Sequence, residues 1–206
     1  YGQHVSYMFQ TPTTQVWKKM FDEGKLNDEQ SHFWKTKPAE ELYDLTNDPD
    51  EVKNLVKSRQ HVDILKKMRK AHLDHVNQII DVGFLPEGEI HSRSQGTTPY
   101  EMARTDKYPF KRIFLAADMA SGLSPWATKT LSTYLKDNDS AIRYWGAVGV
   151  GNIGPAARKA ESAIRMALYD ESSVVRTAAA RALCRLGQPK DALPVLVKEL
   201  NVGGQW

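Results

Sequence analysis

The spacing of apolar residues changes period along this chain. His4-Val5-Ser6-Tyr7-Met8-Phe9 alternates, which puts Val5, Tyr7 and Phe9 on one face and predicts a strand. Thr11-Pro12 then opens a predicted helix to about Glu23, with Val16, Trp17, Met20 and Phe21 as its apolar stripe and Gly24 as its stop. Asn27 and Gln30 form a capping-box pair ahead of His32-Phe33-Trp34, and Pro38 closes that helix. Leu42 and Asp44 point one way and Tyr43 and Leu45 the other, the period of a second strand. Asp48, Pro49 and Glu51 then read as N-cap, first and third residues of a short helix carrying Val52 and Leu55. A long helix follows from about Gln60 to Ile80, with Leu65, Met68, His72, Val76 and Ile79 on one face.

From Gly83 the pattern breaks into a polar, turn-rich run through Pro99, and the boundary between the two halves falls near Gly96. The second half repeats itself. Leu131, Leu135, Asp137, Ile142, Arg143, Ala147, Ile153 and Gly154 fall on Ile164, Leu168, Asp170, Val175, Arg176, Ala180, Leu186 and Gly187, each pair 33 residues apart. Each copy reads as two helices. A further helix starts near Pro189, and an earlier one, Pro109 to Ser121, caps the stack as a looser relative. Such units bury their apolar faces only by stacking. The domains expected are therefore 1–95, a linker or cap at 96–108, and helical repeats at 109–206.

Composition excludes more than it selects. With 41% apolar and 26% charged residues the chain is an ordinary globular one. A net charge of +3 gives no concentrated basic face for nucleic acid, and no apolar run reaches the roughly 20 residues of a membrane span. The single cysteine, Cys184, forbids an internal disulfide; it reads as a small apolar residue of an Ala-rich inner helix. His72 and His75 share a helix face, yet no third or fourth metal ligand accompanies them, so they read as boundary side chains. His91 takes no role. Lys66, Lys67, Arg69 and Lys70 read as a solvated face. There is no phosphate loop, nucleophile elbow or His-Glu-x-x-His. No residue is assigned as catalytic or as a metal ligand.

Two stretches resemble known families. The repeats, with an Asp-turn followed by Val or Ile and Arg, resemble short HEAT-like repeats. Arg143 and Arg176 are expected to stack along one face and pair with Asp137 and Asp170, holding turns together rather than serving as an anionic-partner ladder. Glu40-Glu41-Leu42-Tyr43-Asp44-Leu45, the spacer Thr46-Asn47, Asp48-Pro49-Asp50-Glu51 and Asn54-Leu55 resemble the C-terminal segment of type I sulfatases, most closely the heparan N-sulfatase-like branch. The likeness covers about residues 1–93. It implies an α+β fold there, short antiparallel strands plus helices forming the small C-terminal subdomain that closes on a catalytic domain. The second half is then an all-α, HEAT-like solenoid.

The resemblance also implies where the chemistry lies. Type I sulfatases use a formylglycine from a Cys/Ser-x-Pro-x-Arg motif and a calcium ion held by Asp and Asn, both upstream of this segment. Neither form of the motif occurs here, since Ser124 is followed directly by Pro125, so no catalytic residue carries over and no cofactor is expected in this chain. His4 and Tyr7 are the substrate-rim candidates. The reading is a piece of a longer protein, the non-catalytic tail of a sulfatase acting on sulfate esters or sulfamates of sulfated carbohydrates, its parent periplasmic or secreted. Its expected partners are its own upstream catalytic domain and a protein on the repeats, with self-association through unpaired sheet edges. The competing readings are a HEAT-like binding scaffold without enzymatic role, and a DNA-binding repeat, against which the small charge argues.

Overall fold

The computed structural model describes residues 5–203, so the rim candidate His4 lies outside them. The helices are α1 (Pro12–Asp22), α2 (Asp28–Ser31), α3 (Val62–Ile79), α4 (Glu87–Arg93), α5 (Pro99–Met102), α6 (Phe110–Ser121), α7 (Thr128–Tyr134), α8 (Ser140–Ile153), α9 (Glu161–Ala167), α10 (Ser173–Arg185) and α11 (Pro189–Gly203). The α+β expectation for the first half is overturned: among the described residues there is no strand. The chain divides into two compact units, one up to Lys70 and one from Ala71.

In the first unit, α1 begins with Pro12 in its first turn and ends before Gly24, whose φ of 66° suits the left-handed stop that glycine provides. The Asn27 capping box forms as read: Gln30 N–H donates to Asn27 Oδ1 at 2.8 Å and Asn27 N–H to Gln30 Oε1 at 3.2 Å. An aromatic cluster holds the unit. Trp17 lies 4.9 Å from Phe33 and 5.1 Å from Trp34 by ring centroids, and its indole donates to the Gln30 carbonyl. The outer face of the α1 stripe, Val16 and Met20, is exposed. Among the described residues of this unit only Ser31 and Leu65 are fully buried.

Both predicted strands fail for want of a partner. Val5 is extended, but Ser6–Gln10 winds into a 3-10 turn closed by Thr11, whose hydroxyl donates to the Met8 carbonyl at 2.8 Å. Around Tyr43 the chain is an irregular loop in which Leu55 N–H donates to Leu42 O at 2.7 Å. The Asn54 amide supplies what a neighbouring strand would. It accepts from Leu42 N–H and Val56 N–H, each at 3.1 Å, and donates to Glu40 O at 3.0 Å. The predicted helix after Asp48 is likewise a turn, because Glu51 sits at φ 53°. Asp48 accepts instead from Val52 and Lys53 N–H. The sheet edges on which expected self-association rests are thus absent among the described residues.

The second unit stacks helix pairs over two joined apolar layers. Residues 96–108 contribute Met102, Ala103 and Tyr108 to the first layer, with Ile113, Ala116, Ala141 and Ile142. Val76 and Leu85 lie in that layer as well, so residues 71–95 pack with the repeats. The second layer holds Leu131, Ile164, Val175, Ala180 and Leu183. Equivalent positions are equally buried: Leu131 and Ile164 are both 0% exposed, as are Ala147 and Ala180. Small residues set the spacing. A Cβ on Gly146 would lie 2.9 Å from Leu131 O, so α8 approaches α7 at backbone distance.

Candidate functional site

The repeat turns recur atom for atom. Asp137 Oδ1 accepts from Asp139 N–H and Asp170 Oδ1 from Ser172 N–H, both at 2.9 Å. Arg143 Nη1 donates to the carbonyls of Asp137 and Asn138 at 2.9 and 3.1 Å. Arg176 Nη1 donates to those of Asp170 and Glu171 at 2.8 and 2.9 Å. Each arginine thus ties down the turn that opens its own helix.

The carboxylate partners differ from the expected pairing within a copy. Arg143 forks onto Asp170 of the next copy, with Nε and Nη2 at 2.7 and 2.9 Å. Arg176 forks onto Glu199 of α11 at the same two distances, and Asp137 is taken by Arg112 of α6 at 2.7 Å. The series Arg112–Asp137, Arg143–Asp170, Arg176–Glu199 therefore runs between successive layers. Arg176 hydrogen bonds hold the Glu199 carboxyl below its ordinary value, and those of Asp170 hold the Arg143 guanidinium above its own. Arg143 is only 7% exposed, so its charge is spent on the fold.

A fork that the repeat pattern does not announce flanks them. Arg93 of α4 reaches Asp139, 46 residues away in sequence, at 2.8 and 3.0 Å, Glu89 at 2.9 Å and the Ser140 hydroxyl at 3.0 Å. Burial works against ionisation of Asp139, but the hydrogen bonds and charge of Arg93, with the N–H groups of Ala141 and Ile142, hold its carboxyl below the ordinary 3.8.

The other rim candidate, Tyr7, is 68% exposed in the first unit and far in sequence from this ladder. His72 and His75 are both exposed on α3, with the His72 ring 6.4 Å from that of Phe114. Among the described residues no group of three or more His, Cys, Asp or Glu is placed to hold a metal ion. Cys184 is half-buried in α10 and followed by Arg-Leu-Gly rather than x-Pro-x-Arg. Among the described residues no set fits a formylglycine or its calcium. No helix among the described residues is long and apolar enough to cross a membrane.

What the second unit does offer is an inner groove of about 470 Å³ between α8, α10 and α11, bordered by the start of α4. Its floor includes Val148, Val174 and Ala178, and its wall carries Arg181 and Arg185. The 33-residue repeat does not single out these two arginines. Their signal was there: four residues apart, they share the face of α10 that carries Thr177 and Ala178.

A family model described as HEAT repeats matches residues 128–202. The chain is also similar to the ulvan-active sulfatase of Formosa agariphila, 37% identical over 87 residues. That match spans 42% of this chain and 15% of the relative's length. No solved structure matches.

Proposed function

We propose that this chain is the non-catalytic tail of a sulfatase, with its HEAT repeats as a recognition module. The observation that carries this is the 37% identity to a protein named as an ulvan-active sulfatase. The ordered string from Glu40 to Leu55 supports it as a resemblance in residues, although its backbone is a loop. So does the thin interior of the first unit, where one apolar side chain, Leu65, is fully buried among the described residues. A segment with so little core of its own suits packing against a larger body. Val16 and Met20 on α1 are the exposed apolar surface for that contact. The parent would cleave sulfate esters or sulfamates of a sulfated carbohydrate, with formylglycine and calcium supplied outside this chain.

The test is peptide mass spectrometry on the product of the full reading frame. A Cys/Ser-x-Pro-x-Arg peptide carrying formylglycine is the expected result, and a frame without that motif would overturn the reading. The absence of strands among the described residues favours a second reading, a HEAT-repeat scaffold with no enzymatic parent. The same measurement decides between them.

A further inference from the structure

We infer that the inner groove of the repeats is a binding site for sulfated carbohydrate, with Arg181 and Arg185 as its sulfate clamp. The proposal rests on the sulfatase reading for its ligand class. Its geometry stands separately.

Arg181 and Arg185, like Arg158 outside the groove, are not spent on holding the stack together. Arg93, Arg112, Arg143, Arg165 and Arg176 each hold a carboxylate. Among the described residues Arg181 and Arg185 have neither an ion pair nor a hydrogen-bond partner, and both are exposed. They border a groove large enough for a short oligosaccharide. Guanidinium forks match the paired oxygens of a sulfate as they match those of phosphate or carboxylate. Of the two carboxylates that line this groove, Glu87 and Glu199, the second is already occupied by Arg176.

The rest of the lining suits a sugar better than an acidic peptide. The lining sets small side chains, Ala147, Gly151, Ala178 and Ala182, beside Val148 and Val174, and α8 and α10 approach closely there: a Cβ on Gly151 would lie 3.2 Å from Ala182 Cα. Hydroxyl groups of Tyr144, Ser173 and Thr177, with the Glu87 carboxylate, supply partners for sugar hydroxyls along the wall. The ring of Tyr144, half-buried against Trp145 at 5.3 Å, gives an apolar face.

The experiment is calorimetric titration of the 206-residue chain with sucrose octasulfate, with unsulfated sucrose and hexaglutamate as comparisons. Saturable one-site binding of the sulfated sugar is expected, with none of sucrose and at least tenfold weaker binding of hexaglutamate. The pair Arg181→Ala and Arg185→Ala should weaken binding about tenfold or more, as loss of charge-assisted hydrogen bonds does. Lys129→Ala, which removes an exposed charge outside the groove, should leave it unchanged. Both arginines are exposed, and unchanged helical circular dichroism will confirm that the variant folds. Three results would each overturn the site: no saturable binding, hexaglutamate binding as tightly as the sulfated sugar, or equal loss in Lys129→Ala. Because binding is read on a chain without catalytic parts, its failure leaves the formylglycine test of the parent intact.

Discussion

Arg143 and Asp170 stand 27 residues apart and meet fork to fork, 2.7 and 2.9 Å, at the junction of two repeat copies. Each also serves its own turn, so the pair couples turn geometry to stacking. Removing Arg143 leaves a nearly buried carboxylate without its guanidinium and two turn carbonyls unserved. Arg143→Met should cost about 3 kcal/mol in urea unfolding, the scale for breaking a buried pair. A double-mutant cycle with Asp170→Asn should return a coupling of at least about 1 kcal/mol. Additive losses would show that the two arginine roles are independent.

Gly146 tests the close approach of α8 to α7. An alanine Cβ would meet Leu131 O at 2.9 Å and Leu135 N at 3.1 Å, backbone atoms that cannot swing away. Helix propensity favours alanine by about 1 kcal/mol. Overpacking costs about 1–3 kcal/mol and should win. Gly146→Ala is therefore expected to lower the thermal midpoint, even though Ala179 occupies the matching place in the next copy.

The Arg93–Asp139 fork predicts an acid-sensitive junction. The Asp139 carboxyl titrates below its ordinary 3.8 in the folded chain, so the folded state binds fewer protons than the unfolded one in that range. Its stabilisation is complete above 3.8 and is lost as pH falls through the lower folded value. Arg93→Met should flatten the fall in stability between pH 5 and 2, measured as the urea midpoint at each pH. An unchanged slope would remove the fork from the acid transition.

Glu51 holds a left-handed backbone at φ 53° where the sequence suggests the third residue of a helix. That conformation costs a non-glycine residue about 1–2 kcal/mol, partly offset for glycine by its greater freedom when unfolded. Glu51→Gly should therefore stabilise the first unit by up to about 1 kcal/mol. A loss would mean that the Glu51 side chain contributes more than its backbone costs.

The legible parts of the sequence are those where local chemistry and periodicity agree. The 33-residue repeat marks equivalent buried positions such as Leu131 and Ile164, and Asn27 with Gln30 names its own capping box. Periodicity shows which residues are equivalent but not which neighbour they reach, which is why Arg143 pairs with the next copy's Asp170 rather than its own Asp137. Alternation from Leu42 to Leu45 fits a strand only if a second strand lies beside it. Asn54 serves that backbone through its side chain, a role that alternation cannot signal. Arg93 lies in an irregular polar run, where no spacing points 46 residues ahead to Asp139.

The account depends most on this chain being the tail of a sulfatase rather than a free-standing scaffold. Sulfate released from a sulfated polysaccharide, followed by ion chromatography, measures that directly on the product of the full reading frame beside the 206-residue chain alone. Steady release by the full product and none by the chain is the predicted result. Release by the isolated chain, or none by either, would contradict it.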